Sequence, residues 1–151
     1  MIYLEDARQS LHSAEEALKR YEYAVSLVNV NMALERALKA LLDCLNISYS
    51  RRDGKGYLHD VSELVPEAYR KLEPKLESYD KDYVRMELAR AATLHKMLTS
   101  ISNIGKYGFK SFAEATEIFV SYFLEDCYQV ILRRVNNYIS LIERLLNKLS
   151  E

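Results

Sequence analysis

Helix breakers are few in this chain, and they cluster. Its four glycines fall in two places, Gly54/Gly56 and Gly105/Gly108, and its two prolines are Pro66 and Pro74. Punctuation that sparse leaves three long helical blocks and argues against a turn-rich β-protein. Apolar residues inside the blocks recur at helical spacing, as in Leu4, Ala7, Leu11, Ala14 and Leu18, and nothing alternates with the period of a strand. The pattern predicts an all-α fold, an up-and-down helical bundle of four to five main helices. Residues 1–151 form one domain in this scheme, long enough to bury a continuous core.

Boundaries follow from changes of apolar phase. The polar run Lys19-Arg20-Tyr21-Glu22 is the expected bend after the first helix. A second helix over 23–45 carries two neighbouring stripes, one through Leu27, Leu34, Leu38 and Leu41, the other through Val30, Ala33, Ala37 and Ala40. A helix apolar over so wide an arc belongs at the centre of a bundle, and Asn31, which interrupts it, needs a partner or a cleft. A polar loop over 46–57 holds Arg51, Arg52 and Lys55, with Asp53-Gly54 as its turn signal. Short helices around Pro66 and Pro74 come next, then a helix over 80–104 with Gly105 as its expected stop. Ser111 and Glu114 form a capping box opening a long C-terminal helix from about 112, with Asn136-Asn137 as its one candidate break.

A net charge of -1 excludes a wholly basic nucleic-acid coat but not a local basic patch. The first residues turn acidic at once and resemble no leader, and no apolar run approaches the ~18 residues of a spanning helix. A cytoplasmic protein without membrane association is expected. Cys44 and Cys127 sit among apolar residues and read as buried thiols, with a disulfide between them left open. Twelve tyrosines and no tryptophan suit half-buried helix interfaces, where a ring packs and a hydroxyl stays wet. Together with the wide arc of the second helix, they exceed what a few helices can bury and predict a homodimer.

Motifs for metal, phosphate-loop or nucleophilic chemistry are missing. His12, His59 and His95 lie far apart with no second ligand at metal spacing, and Gly54-Lys55-Gly56 lacks the rest of a phosphate loop. No metal and no cofactor is expected. Glu35 and Lys39 lie one turn apart in the favourable orientation, as a surface ion pair or, with His59 and Asp60, as the lining of a polar notch. Asp60 could equally accept backbone N–H bonds at the start of the next helix. Arg51-Arg52 and Arg133-Arg134 are solvated charge, or RNA-backbone contacts if they converge.

The stretch Ala33-Leu34-Glu35-Arg36-Ala37-Leu38-Lys39-Ala40-Leu41-Leu42, then a Gly-containing loop, then Leu58-His59-Asp60-Val61-Ser62-Glu63-Leu64, resembles HEPN domains. A weaker anchor is Gly105-Lys106-Tyr107, where many such domains carry an Arg-Tyr-Pro segment. Ala92-Thr93-Leu94-His95 is similar to a segment of the related archaeal PaREP-type helical proteins, in which His95 would be a structural marker. The resemblance implies a nucleotide- or RNA-binding dimer, or the HEPN half of a toxin–antitoxin pair with a nucleotidyltransferase partner. Binding would then fall to Lys39, His59, Lys106, Tyr107 and Lys110.

Arg90 and His95 match the Arg-then-His spacing of the metal-independent endoribonucleases in that superfamily. His95 would move the proton of a ribose hydroxyl, and Arg90 would hold the charge gathering on phosphate. Five residues turn a helix by about 140°, however, and the pair sits mid-helix. His95 as a half-buried residue beside Leu88, Ala91 and Leu98, with Arg90 solvated, is the structural alternative. A helical scaffold without a catalytic site is the third.

Overall fold

The computed structural model describes residues 2–107 and 125–151, with backbone alone at 2, 102–107 and 125–127. Among the described residues five helices form: α1 Ile2–Lys19, α2 Tyr23–Cys44, α3 Val65–Leu72, α4 Ser78–Tyr107 and α5 Glu125–Leu149. Short 3-10 turns, Ser62–Leu64 and Glu73–Lys75, flank α3. Among the described residues there is no strand, and no helix is long and apolar enough to cross a membrane.

The α1–α2 reversal falls on the expected polar run. Tyr21 adopts φ 58°, a left-handed conformation costing a non-glycine residue about 1 kcal/mol. The Glu22 N–H donates to the Ala17 carbonyl at 2.9 Å, which closes the end of α1 without a glycine. Leu4, Ala7, Leu11, Ala14 and Leu18 are buried as their stripe requires.

Both stripes of α2 are buried, against α1 and α5 on one side and α3 and α4 on the other. The wide arc is therefore satisfied within one chain. The exposed large hydrophobics include a separate row on α4, Tyr79, Tyr83 and Met86, and Val25 and Val28 of α2. Ser26 on α2 donates to the Ala14 carbonyl at 2.8 Å and meets the Tyr128 hydroxyl at 2.8 Å, tying α1, α2 and α5 together in the core. Arg8 pairs with Glu143 across the outer edge of α1 and α5.

Three local expectations change. Gly105 does not stop α4, which runs through it to Tyr107. One glycine costs a helix interior about 1 kcal/mol, too little to end a helix already nucleated over many turns. Asn136-Asn137 does not break α5. Both asparagines are exposed, while Val135, Tyr138 and Ile139 beside them are buried, so packing holds the helix through a weak pair. Cys44 is an exposed free thiol, on the solvent side of a last turn whose Leu41, Leu42 and Leu45 are buried. The capping box at Ser111 and Glu114, and the helix start near 112, lie outside the described residues; for Cys127 only the backbone is described.

Between α2 and the first 3-10 turn the chain makes a small hairpin. Ser50 and Tyr57 form an antiparallel bridge, the Leu58 N–H donates to the Tyr49 carbonyl at 2.8 Å, and the Arg51 N–H donates to the Gly56 carbonyl at 2.9 Å. Gly54 (φ 70°) and Gly56 (φ 103°) supply the left-handed turns that a side chain would resist.

Candidate functional site

The hairpin leans on the middle of α2. Glu35 and Lys39 share one face there, and the i,i+4 spacing brings Lys39 Nζ to 2.8 Å from Glu35 Oε1. Lys39 is only 8% exposed, so this is a nearly buried pair and not a solvated one. Its ammonium also lies 5.2 Å from the centre of the Tyr49 ring, a cation–π contact. The Tyr49 hydroxyl donates to Asp43 at 3.2 Å, and burial is the main reason its pKa is raised. Tyr57 packs against Tyr49 with ring centres 5.5 Å apart.

His59 completes the cluster. Its Nδ1 donates to the same Glu35 Oε1 at 3.1 Å, while its side chain is 87% exposed. A carboxylate bonded to Nδ1 fixes the orientation of the ring and leaves Nε2 facing water. Among the described residues Glu35 Oε2 has no protein partner. Leu58 and Asp60, on either side of His59 in sequence, point instead into a cleft of about 730 Å³ with Ser50, Arg51, Arg52 and Glu63.

His95 holds the backbone of this segment. It is fully buried, with Nδ1 2.9 Å from Asn31 Oδ1 and Nε2 3.0 Å from the His59 carbonyl oxygen. The Val61 N–H lies 3.3 Å from the same Nε2. Asn31, the polar interruption of α2, donates in turn to Thr99 Oγ1 at 3.2 Å. Burial pushes the His95 pKa below its ordinary value, against the pull of Asp60 and Glu35. Asp60 accepts from the Ser62 N–H at 3.0 Å and the Ser62 hydroxyl at 2.6 Å, the structural role its position suggested. Burial opposes its ionisation, but those bonds and the nearby His95 and Lys96 outweigh it, so its pKa lies below the usual range.

The expected site residues thus separate. Lys39 and His59 meet on one oxygen of Glu35. Lys39 faces inward, so it stands behind the surface and balances a carboxylate there. Arg90 and His95 do not meet: Arg90 is exposed and donates to Glu87 at 2.6 Å, while His95 points into the bundle. Lys106 and Tyr107 fall on the final turn of α4, where only the backbone is described, and Lys110 lies outside the described residues. Glu35 in the role of orienting group, and Tyr49 and Tyr57 as its neighbours, were missed from the sequence. Helical spacing carries no signal for them, because Tyr49, Tyr57 and His59 lie in a loop that bends at His59.

Among the described residues no three side chains gather as metal ligands. The cluster offers an aromatic face, an oriented imidazole and an open carboxylate oxygen, beside a hairpin rich in arginine. The sequence profile of the HEPN domain family matches residues 1–138, and the chain belongs to that family. No curated protein and no solved structure shows a significant match to it.

Proposed function

We propose that this HEPN-family protein binds a nucleotide or an RNA strand on the face built from the hairpin, His59 and the Glu35–Lys39 pair. One observation carries this reading. An almost fully exposed histidine is held by its side chain on a nearly buried carboxylate and by its backbone near a buried imidazole. Ordering a surface imidazole from both ends costs conformational entropy with no gain in core packing, and ligand sites use that arrangement to present a donor or acceptor in one pose. Arg51 and Arg52, which line the neighbouring cleft with Leu58 and Asp60, supply charge for phosphate.

The direct test is fluorescence anisotropy with a labelled oligoribonucleotide, and with ATP as competitor. His59→Ala and the pair Arg51→Ala/Arg52→Ala should each weaken binding at least tenfold, while Arg144→Ala on the far end of α5 leaves it unchanged. Equal binding by all variants would remove the site from this face. Absence of binding by the wild type to RNA and nucleotide alike would leave a helical scaffold.

A metal-independent ribonuclease using Arg90 and His95 requires His95 to reach a ribose hydroxyl, and it has no exposed surface. That enzyme would need α4 and the 59–61 segment to part. Binding without cleavage is the function the geometry supports best. Homodimerisation remains part of the proposal, now on the exposed row Tyr79, Tyr83 and Met86 of α4, which the fold leaves uncovered. Sedimentation at micromolar concentration, wild type against Tyr83→Glu, checks it; a monomeric wild type overturns it. A nucleotidyltransferase partner, as in a toxin–antitoxin pair, would compete for this same row.

A further inference from the structure

The cluster of Tyr57, His59 and the Glu35–Lys39 pair is poorly suited to phosphate. Its one cation, Lys39, is nearly buried and matched by Glu35 at 2.8 Å. What faces outward is the Tyr57 ring, 62% exposed, the His59 imidazole, and the acidic second oxygen of Glu35. Within the hairpin, Arg52 and Lys55 have no ion-pair partner among the described residues. Arg51 is paired with Asp53 at 3.1 Å. Charge and ring face are therefore segregated on a single turn of chain.

The ring is also held for use. Tyr49 supports Tyr57 from one side at 5.5 Å and 54°, and the Ser50–Tyr57 bridge fixes the backbone beneath it. The Lys39 ammonium beyond Tyr49 fixes that second ring in turn. An exposed aromatic set on a second aromatic presents its free face without losing further rotamer freedom when something flat lands on it.

We infer that Tyr57 is a base-stacking platform: a nucleobase lies on its ring, with the sugar toward His59 and Glu35 Oε2 and the phosphates on Arg52 and Lys55. It rests on the reading that this face binds nucleic acid, and it narrows the ligand to an unstacked base, in a single strand or a free nucleotide and not in a duplex. Bases inside a duplex expose only their edges, so a ring face on a hairpin has nothing to stack upon there. Glu35 Oε2 accepts a ribose hydroxyl or an exocyclic amine, and a bare phosphate is repelled from it.

The test measures binding of a labelled single-stranded oligoribonucleotide, an abasic oligomer of equal length, and a hairpin duplex across a salt series. Tyr57→Ala should weaken the single strand by about 5- to 100-fold, the range for one lost stacked base. Its salt slope should not change, and Tyr57→Trp should restore affinity. The abasic oligomer and the duplex should bind wild type and Tyr57→Ala alike. Arg52→Ala should weaken every ligand and lower the salt slope by about one. AMP displacing the strand assigns the platform to a free nucleotide, and failure to displace it assigns a strand; either supports stacking. Equal loss on abasic and normal strands, or no loss on either, overturns the platform while the binding proposal stands. Absence of binding by the wild type overturns both. Circular dichroism of Tyr57→Ala confirms that an exposed ring was removed from a folded protein.

Discussion

Two clusters of polar side chains are anchored on α2, and they end differently. Around Ser26 the bonds run to the Ala14 carbonyl and the Tyr128 hydroxyl and stop; Tyr128 is fully buried. Burial pushes the Tyr128 pKa up to about 12, with the Ser26 bond pulling slightly the other way. Around Glu35 the bonds run from a nearly buried lysine, through a carboxylate, to an imidazole in open water. Both clusters satisfy buried groups, as any core must. Only the second has an unfinished edge. Polarity inside a bundle is thus no sign of function; an ordered polar chain that reaches the surface is a better one.

The contrast can be broken in several places. The largest effect is expected from Lys39→Met, which strands Glu35 in a nearly buried setting and should cost about 3 kcal/mol in urea unfolding. The double variant Lys39→Met/Glu35→Leu should recover most of that stability and still lose ligand binding. A cost near zero for the single variant would mean that the pair is solvated and the notch open. Tyr128→Phe should cost about 1 kcal/mol and leave binding unchanged, because its cluster is closed. A change in RNA affinity there would erase the distinction between the two regions.

Acid should act through His95. Its folded pKa is lowered, so the unfolded chain takes up the proton first, near pH 6.5, and stability present above that value is lost as pH falls below it. Asp60 and Glu35 pull toward protonation, and Lys39 and burial oppose it; Lys96 stands beyond Asp60. Urea midpoints at pH 7.5 and 5.5 should therefore differ more for the wild type than for His95→Gln. Equal shifts would assign the acid response to groups other than His95. The smallest effect is expected from His59→Ala on stability, within about 0.5 kcal/mol, although the same variant abolishes most binding. A large stability loss would make His59 a structural residue.

Much of the architecture is legible in local spacing. The Lys19–Glu22 bend shows as a slip of apolar phase, and the central place of α2 shows as its double stripe. Gly105 and Asn136-Asn137 misled because propensity is weak against helices stabilised along their whole length by packing. The site divides the same way. Glu35–Lys39 is an i,i+4 pair, and what lies against it is the Tyr49 ring and His59 from the loop beyond α2. His59 on Glu35 joins residues 24 apart, and His95 on the His59 carbonyl joins residues 36 apart. Contacts of that kind depend on how a loop folds back, which helical periodicity does not encode.

The buried ring of His95 has a spectroscopic consequence. A neutral imidazole carries one proton, and its two nitrogens face different elements. With the proton on Nδ1, it donates to Asn31 and Nε2 accepts from the Val61 N–H; with the proton on Nε2, it donates to the His59 carbonyl. The first tautomer therefore holds Asn31 and Val61, and the second holds His59. Their nitrogen-15 resonances are far apart and shielded from solvent exchange, so His95 is a built-in reporter whose signal would shift if a ligand on the proposed face moved His59, from a position that ligand would not touch.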